Sequence, residues 1–212
     1  MSRIHGLWLS CMLIASSSFG QGTDYTKDPA IGVHFILNDY KSAANLRNSS
    51  LNSVFINKQF GKVKEMTAGL AINYIKGLNN HIDFSATAGG SFVSYDLRNN
   101  PGTAKDRFLL EVDASIVAKL LSDKYWVTPY AQTGVGGMIY GVYYGAFVPM
   151  GVGLQVNFYD EAYLLMNAQY RIPVTETANY HFYYSLGIAG NIGKKKESTS
   201  LKMRPSIPFA SN

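Results

Sequence analysis

The stretch GAFVPMGVGLQVNFYDEAYLLMNAQYRIPVTETANYHFYYSLGIAGN, residues Gly145–Asn191, decides the fold. From Val148 onward every second residue is apolar: Val148, Met150, Val152, Leu154, Val156 and Phe158. The residues between them, Pro149, Gly151, Gly153, Gln155 and Asn157, are small or polar. After Tyr159-Asp160-Glu161 the alternation resumes. Leu164, Met166, Ala168, Tyr170 and Ile172 oppose Leu165, Asn167, Gln169 and Arg171. Beyond Pro173–Asn179, Tyr180, Phe182, Tyr184, Leu186 and Ile188 oppose His181, Tyr183, Ser185, Gly187 and Ala189. A period of two is the strand signal, so this stretch predicts three hairpin-linked strands. An apolar sheet face needs a cover. The sequence offers no amphipathic helix long enough to be one. Lipid can serve instead, which predicts a membrane barrel.

Reading outward from this stretch gives five more strands. Ala30–Asn38 places Ile31, Val33, Phe35 and Leu37 opposite Gly32, His34, Ile36 and Asn38. Met66–Lys76, His81–Tyr95, Phe108–Leu121 and Tyr125–Gly137 alternate in the same way. Eight segments make an even count, as single-chain outer-membrane barrels have. The connections are expected to alternate between long and short. Tyr40–Glu65, Arg98–Arg107, Met138–Tyr144 and Pro173–Asn179 read as long; Gly77–Asn80, Ser122–Lys124 and Tyr159–Glu161 read as short. Short periplasmic turns and longer outer loops would put both termini in the periplasm. For the first connection the pattern does not choose between a short helix around Leu51–Phe60 and a strand extension. The predicted fold class is all-β: an eight-stranded antiparallel up-and-down transmembrane β-barrel.

Composition fits this pattern. The chain has 212 residues, 47% of them hydrophobic, yet its mean hydropathy is −0.03. Strands with one apolar and one polar face average to such a value. There are 15 Tyr and 20 Gly, suited to aromatic girdles and a narrow interior. The N-terminus has the grammar of an export signal: Arg3, the apolar run Leu7–Ala15, then Ser18-Phe19-Gly20 before Gln21. Cutting at Cys11, as in a lipoprotein, would strand apolar Met12–Ala15 after the site. The single cysteine is Cys11, so a processed chain has no thiol for disulfides or metal. No later apolar run approaches the ~18 residues of a spanning helix. The expected organisation is a signal peptide over 1–20, a polar lead-in over 21–28, the barrel over 29–193 and a basic, disordered periplasmic tail over 194–212. The formal charge of +5 falls to +4 without Arg3, and several cations lie in the tail. That is not the interleaved basic and aromatic surface of a nucleic-acid binder.

The phrases IGVHFILNDY, GLAINYIKGLNNHIDFSATAGGSF, LLEVDASIVAKLLSDKYWVTPYAQTGVGG, YYGAFVPMGVGLQVNFYDEAYLLMNAQYR and NYHFYYSLGIAGNIGKKK carry a resemblance. Together, over Pro29–Lys196, they resemble the N-terminal barrel of OmpA-type outer membrane proteins of Bacteroidetes. The resemblance implies the barrel fold and a place in the cell envelope. No peptidoglycan-binding domain follows the barrel, so cell-wall tethering is not expected.

The inward faces hold whatever chemistry there is. A lumen charge cluster is expected from Asp83, Glu111, Asp113, Lys119 and Arg171. His34, Asn73, Gln132, Asn167, Gln169 and His181 are the other polar lumen residues. Val148, Met150, Val152, Leu154, Val156, Leu164, Met166, Phe182, Tyr184 and Leu186 are expected to face lipid. Opposite charges in a narrow lumen pair with one another. They form either a plug or the gate of a small-solute pore. Catalysis is not expected. His181 and Ser185 share a face but lie about 13 Å apart along a strand, too far for a nucleophile and its base. No cofactor or metal is expected, since His34 and His181, even as neighbours, fall short of a ligand set. The Gly134–Gly137 run lacks the Lys and Ser/Thr of a phosphate loop and reads as small lumen residues. Tyr140, Tyr143 and Tyr144 suit an outer aromatic girdle. The expected function is a structural or interaction barrel. Its partners would be outer-membrane lipid and envelope proteins met through the loops or tail. The alternatives are a small-solute pore and a soluble barrel binding an apolar ligand.

Overall fold

The computed structural model describes residues 26–94, 107–159 and 161–192. The expected signal peptide, the tail and most of the Arg98–Arg107 loop lie outside the described residues. Eight strands follow in order: β1 (Ala30–Asp39), β2 (Thr67–Gly77), β3 (Ile82–Val93), β4 (Arg107–Lys119), β5 (Val127–Tyr140), β6 (Tyr143–Phe158), β7 (Ala162–Pro173) and β8 (His181–Asn191). Each pairs antiparallel with the next. β1 closes on β8 from Ala30↔Asn191 to Asp39↔Phe182, giving a closed up-and-down barrel. Closure leaves no unpaired sheet edge. The strands run from 10 to 16 residues, enough for the ~9–11 of a tilted spanning strand.

Side-chain direction follows the pleat. In β1, Ile31, Val33 and Phe35 are exposed while His34 and Ile36 are buried. In β6, Met150, Val152 and Leu154 point out while Phe147, Pro149, Gln155 and Asn157 point in. The interior is packed in layers. Val93, Leu109, Met138, Tyr140, Phe147 and Ala178 form an apolar cluster near the β1–β2 loop end. Ala30, Ile75, Tyr163, Leu165 and Ala189 form another at the end holding the termini. Glycines permit the close inner packing: a Cβ on Gly134 would lie 2.1 Å from the Ala114 carbonyl oxygen.

The first connection, for which the sequence leaves open a short helix around Leu51–Phe60 or a strand extension, is helical in two places. α1 (Tyr40–Asn48) is capped by Asp39, whose carboxylate accepts from the Ser42 backbone N–H at 2.8 Å. α2 (Leu51–Ile56) is capped by Ser50, and a 3-10 turn follows at Val63–Glu65. Asp39 therefore ends a strand and starts a helix, which alternation cannot reveal. No described helix is long and apolar enough to cross a membrane.

The expected long connection Met138–Tyr144 is instead a two-residue turn at Gly141-Val142, with Tyr140 paired to Tyr143. Gly141 has φ +61°, which this turn requires. The 120–126 connection at the opposite end is longer than that. The strict long–short rhythm therefore does not hold, although the longest described connection, 40–66, does lie at the end away from the termini.

The lead-in also departs from a simple polar entry. Gly77 donates its backbone N–H to the Lys27 carbonyl at 3.1 Å, and Lys27 is fully buried. The chain thus crosses the barrel end before entering β1.

Candidate functional site

The five charged residues expected in one lumen cluster form two, at opposite ends of the interior. At the loop end, Arg171 on β7 reaches β4. Its Nη1 lies 2.8 Å from Glu111 Oε2 and its Nη2 3.1 Å from Asp113 Oδ2. The guanidinium lies 3.6 Å from the Tyr183 ring and 4.8 Å from the Phe147 ring. Arg171 Nε donates to Gln169 Oε1 at 3.3 Å. The planar fork suits two carboxylates with aromatic faces beside it. Glu111 and Asp113 stand two apart on β4, so the pleat sends both inward. His181 joins them: its Nε2 is 3.2 Å from Glu111 Oε1 and its Nδ1 is 3.1 Å from the Asn179 carbonyl. Both ring nitrogens thus face oxygen acceptors. Tyr40, the first residue of α1, stacks on this imidazole with centroids 4.5 Å apart.

At the terminus end, Asp83 on β3 accepts a hydrogen bond from Lys27 and forms an ion pair with Lys119. Lys27 Nζ lies 2.8 Å from Oδ2 and Lys119 Nζ 2.8 Å from Oδ1. Lys119 also meets Asp123 Oδ2 at 2.5 Å. Lys27 donates to Gln155 Oε1, and Gln155 Nε2 donates to Asp123 Oδ1 at 2.8 Å. Asn157 Nδ2 donates to the Asp123 carbonyl at 2.8 Å. Two cations and two carboxylates therefore balance within one network. Burial pushes the Lys27 ammonium below its ordinary value, while the Asp83 and Asp123 carboxylates act to raise it.

Between the clusters lies a cavity of about 30 Å³. His34, Asn73, Gln132, Asn167, Gln169, Tyr183 and Ser185 line part of it. Asn73 Nδ2 donates to Ser85 Oγ at 2.8 Å and Thr87 Oγ1 at 2.9 Å. His34 Nε2, Asn73 Oδ1 and Asn167 Oδ1 make no hydrogen bond to the protein. The space suits a water or two rather than a drug-sized ligand.

Met150, Val152, Leu154 and Leu186 are exposed on the outer face. Val148, Val156, Leu164, Met166, Phe182 and Tyr184 are half-buried there by their neighbours. His34 and His181 are not neighbours: His34 sits opposite Gly187, six residues along β8 from His181. Tyr140 is not in a girdle but inside, donating its hydroxyl to the Val93 carbonyl at 3.1 Å. Tyr144 is exposed. Among the described residues, no three His, Cys, Asp or Glu side chains converge as metal ligands.

Sequence reasoning missed Lys27 and Asp123 as partners. Lys27 lies outside any alternating segment, and Asp123 reads as an ordinary turn residue. The only available signal was arithmetic: Asp83 and Lys119 sit at the short-turn end, away from Glu111, Asp113 and Arg171.

No family model and no curated protein sequence matches the chain. Among solved structures it is similar to the outer membrane protein OprG from Pseudomonas aeruginosa, with a TM-score of 0.51 and 9% identity over 78% of this chain and 96% of that one. It is also similar to Ail, the attachment invasion locus protein of Yersinia pestis, with a TM-score of 0.48 and 13% identity over 77% of this chain and 98% of that one. The N-terminal β-barrel domain of Pseudomonas aeruginosa OprF gives a TM-score of 0.48 and 9% identity, covering 78% and 98% of the two chains. At such identities the likeness is one of fold: a closed eight-stranded antiparallel barrel.

Proposed function

We propose that this chain is an outer-membrane β-barrel with a structural or interaction role, its lumen plugged and its loops presented outside. One observation carries the reading: the closed barrel turns a continuous apolar face outward and neutralises its charges inside. Val33, Leu70, Ile72, Val135, Val152 and Ile188 are each more than 60% exposed. A soluble monomer rarely shows an apolar belt around its whole girth. In hydrocarbon such a belt is at its lowest energy, and the closed ladder leaves no backbone edge to lipid.

Residues 1–20 are the export leader in this reading, and 194–212 the periplasmic tail. Both termini are periplasmic, and the helical first connection is extracellular. The chain then corresponds to the barrel of Bacteroidetes OmpA-type proteins, meeting membrane lipid around its belt and envelope partners through loops or tail. A catalytic role has no support from the site.

The plug reading is supported by the two charge clusters, each internally balanced or nearly so and each sealed by packed side chains. A small-solute pore is the second reading, favoured by the polar cavity between them; conduction would require both clusters to part. A soluble carrier of an apolar ligand is disfavoured, because a cavity of about 30 Å³ is far below the ~300 Å³ such ligands need.

The test is fractionation followed by reconstitution. The protein should remain with the outer membrane until detergent is added, and should run faster on gels unheated than boiled. In a planar bilayer it should show no steady conductance. Release into the periplasmic fraction without detergent would refute the membrane reading. A stable channel abolished by Glu111→Ala would replace the plug with the pore.

A further inference from the structure

The first connection carries a surface that neither charge cluster uses. Phe55, Ile56 and Val63 are 59%, 70% and 67% exposed. The helices are nonetheless well seated. Ala43 and Val54 are fully buried, Ser42 accepts from the Gly61 N–H at 2.9 Å, and Asn45 Nδ2 donates to the Gln59 carbonyl at 3.0 Å. The exposed apolar residues are therefore held outward by a folded loop.

Around them the charge is one-sided. Residues 40–66 contain Lys41, Arg47, Lys58, Lys62 and Lys64, against Glu65 alone. Lys41 and Lys62 approach Glu65 only at 3.9 and 4.0 Å with exposed side chains, so both remain largely free cations.

The loop is joined to the outer face of the barrel by aromatic rings. Phe55 lies 5.4 Å from Phe60, and Phe60 lies edge-on 5.4 Å from Phe182. Phe182 continues to Tyr170 at 4.9 Å and to Tyr184 at 6.1 Å, all on outward positions of β7 and β8. The Arg47 guanidinium covers Tyr180 at 3.9 Å. The aromatic row thus runs unbroken from the apolar belt to the exposed side of the loop.

We propose that the first loop is an interfacial anchor, docking Phe55, Ile56 and Val63 into the leaflet around the barrel while Lys58, Lys62 and Lys64 bind its phosphate-bearing headgroups. This rests on the membrane reading above. Continuity with the belt sets the depth of the loop. A cationic surface with aromatic and aliphatic anchors is the chemistry of an interfacial segment on an anionic leaflet. A cation at such a surface favours the docked state roughly fivefold. The anchor would also hold Tyr40 down on His181, tying the leaflet to the loop-end cluster.

Site-directed spin labelling tests it on the full chain carrying Cys11→Ser. A nitroxide on Ile56→Cys reports the loop, and one on Val152→Cys reports the belt. Each is reconstituted in phosphatidylcholine vesicles with and without phosphatidylglycerol. The expected result is that phosphatidylglycerol lowers the accessibility of the Ile56 label to a water-soluble nickel reagent severalfold and raises its accessibility to oxygen. High salt, or Lys58→Gln/Lys62→Gln/Lys64→Gln, should reverse this while the Val152 label stays in hydrocarbon. A Val152 label in lipid beside an Ile56 label equally wet in both vesicles overturns the anchor alone. A Val152 label in water overturns the membrane reading and the anchor with it.

Discussion

Replacing Arg171 by Met tests whether the loop-end cluster is dry. Arg171 is the cation that reaches both Glu111 and Asp113, at 2.8 and 3.1 Å, and all three side chains are at most 2% exposed. Burial of that degree leaves little solvent screening. Removing one member of a buried ion pair costs about 3–5 kcal/mol, because the partner charge stays behind unpaired. Here two carboxylates are stranded, and His181 at 3.2 Å from Glu111 offsets part of that. The expected loss is therefore within about 3–5 kcal/mol. For a domain of this size that lowers Tm by roughly 6–20 °C. The assay is the fraction of heat-modifiable folded barrel against temperature in detergent micelles, with urea unfolding for the free energy. The control is Arg171→Met/Glu111→Gln/Asp113→Asn, which keeps the volume but removes the charges. It should recover most of the loss, since a neutral replacement of a buried ion triad is often no less stable. The reasoning fails if Arg171→Met alone loses less than about 1 kcal/mol, the value of a solvent-exposed pair. It also fails if the triple variant is no better than the single one. Either result would mean that water reaches the cluster, and would shift the balance from plug to pore.

Other expectations follow from particular contacts. Lys27→Met should destabilise the barrel less than Arg171→Met in the same thermal assay, because Lys119 remains 2.8 Å from Asp83; equal losses would show that Lys27 carries the terminus-end network. Gly134→Ala should cost about 1–3 kcal/mol in urea unfolding, since its Cβ would meet the Ala114 carbonyl oxygen at 2.1 Å. Gly137→Ala, whose Cβ meets nothing closer than 3.7 Å, should be neutral or stabilising by up to ~1 kcal/mol. Trp126 is half-exposed beside Tyr159 at the short-turn end. Its emission in the chain with Trp8→Phe should shift blue on bilayer insertion, as for an interfacial tryptophan, and an unshifted spectrum would place that end in water.

The barrel was legible because one rule applies along every strand. Once the pleat sends Glu111 and Asp113 inward, it must send Leu110 and Val112 outward, and 10 to 16 residues per strand repeat the message. The rule stops at strand ends. A fifth segment that ends at Gly137, three residues short of the strand's end, leaves Tyr140 to a girdle. Continuing the alternation through Met138 puts Tyr140 inside, where its hydroxyl reaches the Val93 carbonyl. The helices of the first connection were partly hidden for a different reason. Asp39 and Ser50 are sound helix caps, but the nine residues of α1 mix small and polar side chains, and the six of α2 make fewer than two turns, too few for an apolar period to show.

Pairing inside the lumen depends on register, which alternation does not supply. Alternation puts Asp83, Lys119, Glu111, Asp113 and Arg171 on inner faces, and distance from the turns gives each a rough height. Which side chains meet follows from register: β3 pairs Asp83 with Val117, and β7 pairs Arg171 with His181. The first sets Asp83 beside Lys119, near the terminus end. The second sets Arg171 at the loop end. Two neutralised ends with a polar middle result from those offsets. Each end therefore has to be opened separately before anything could pass, and a variant that unseals only one should weaken the barrel without making it conduct.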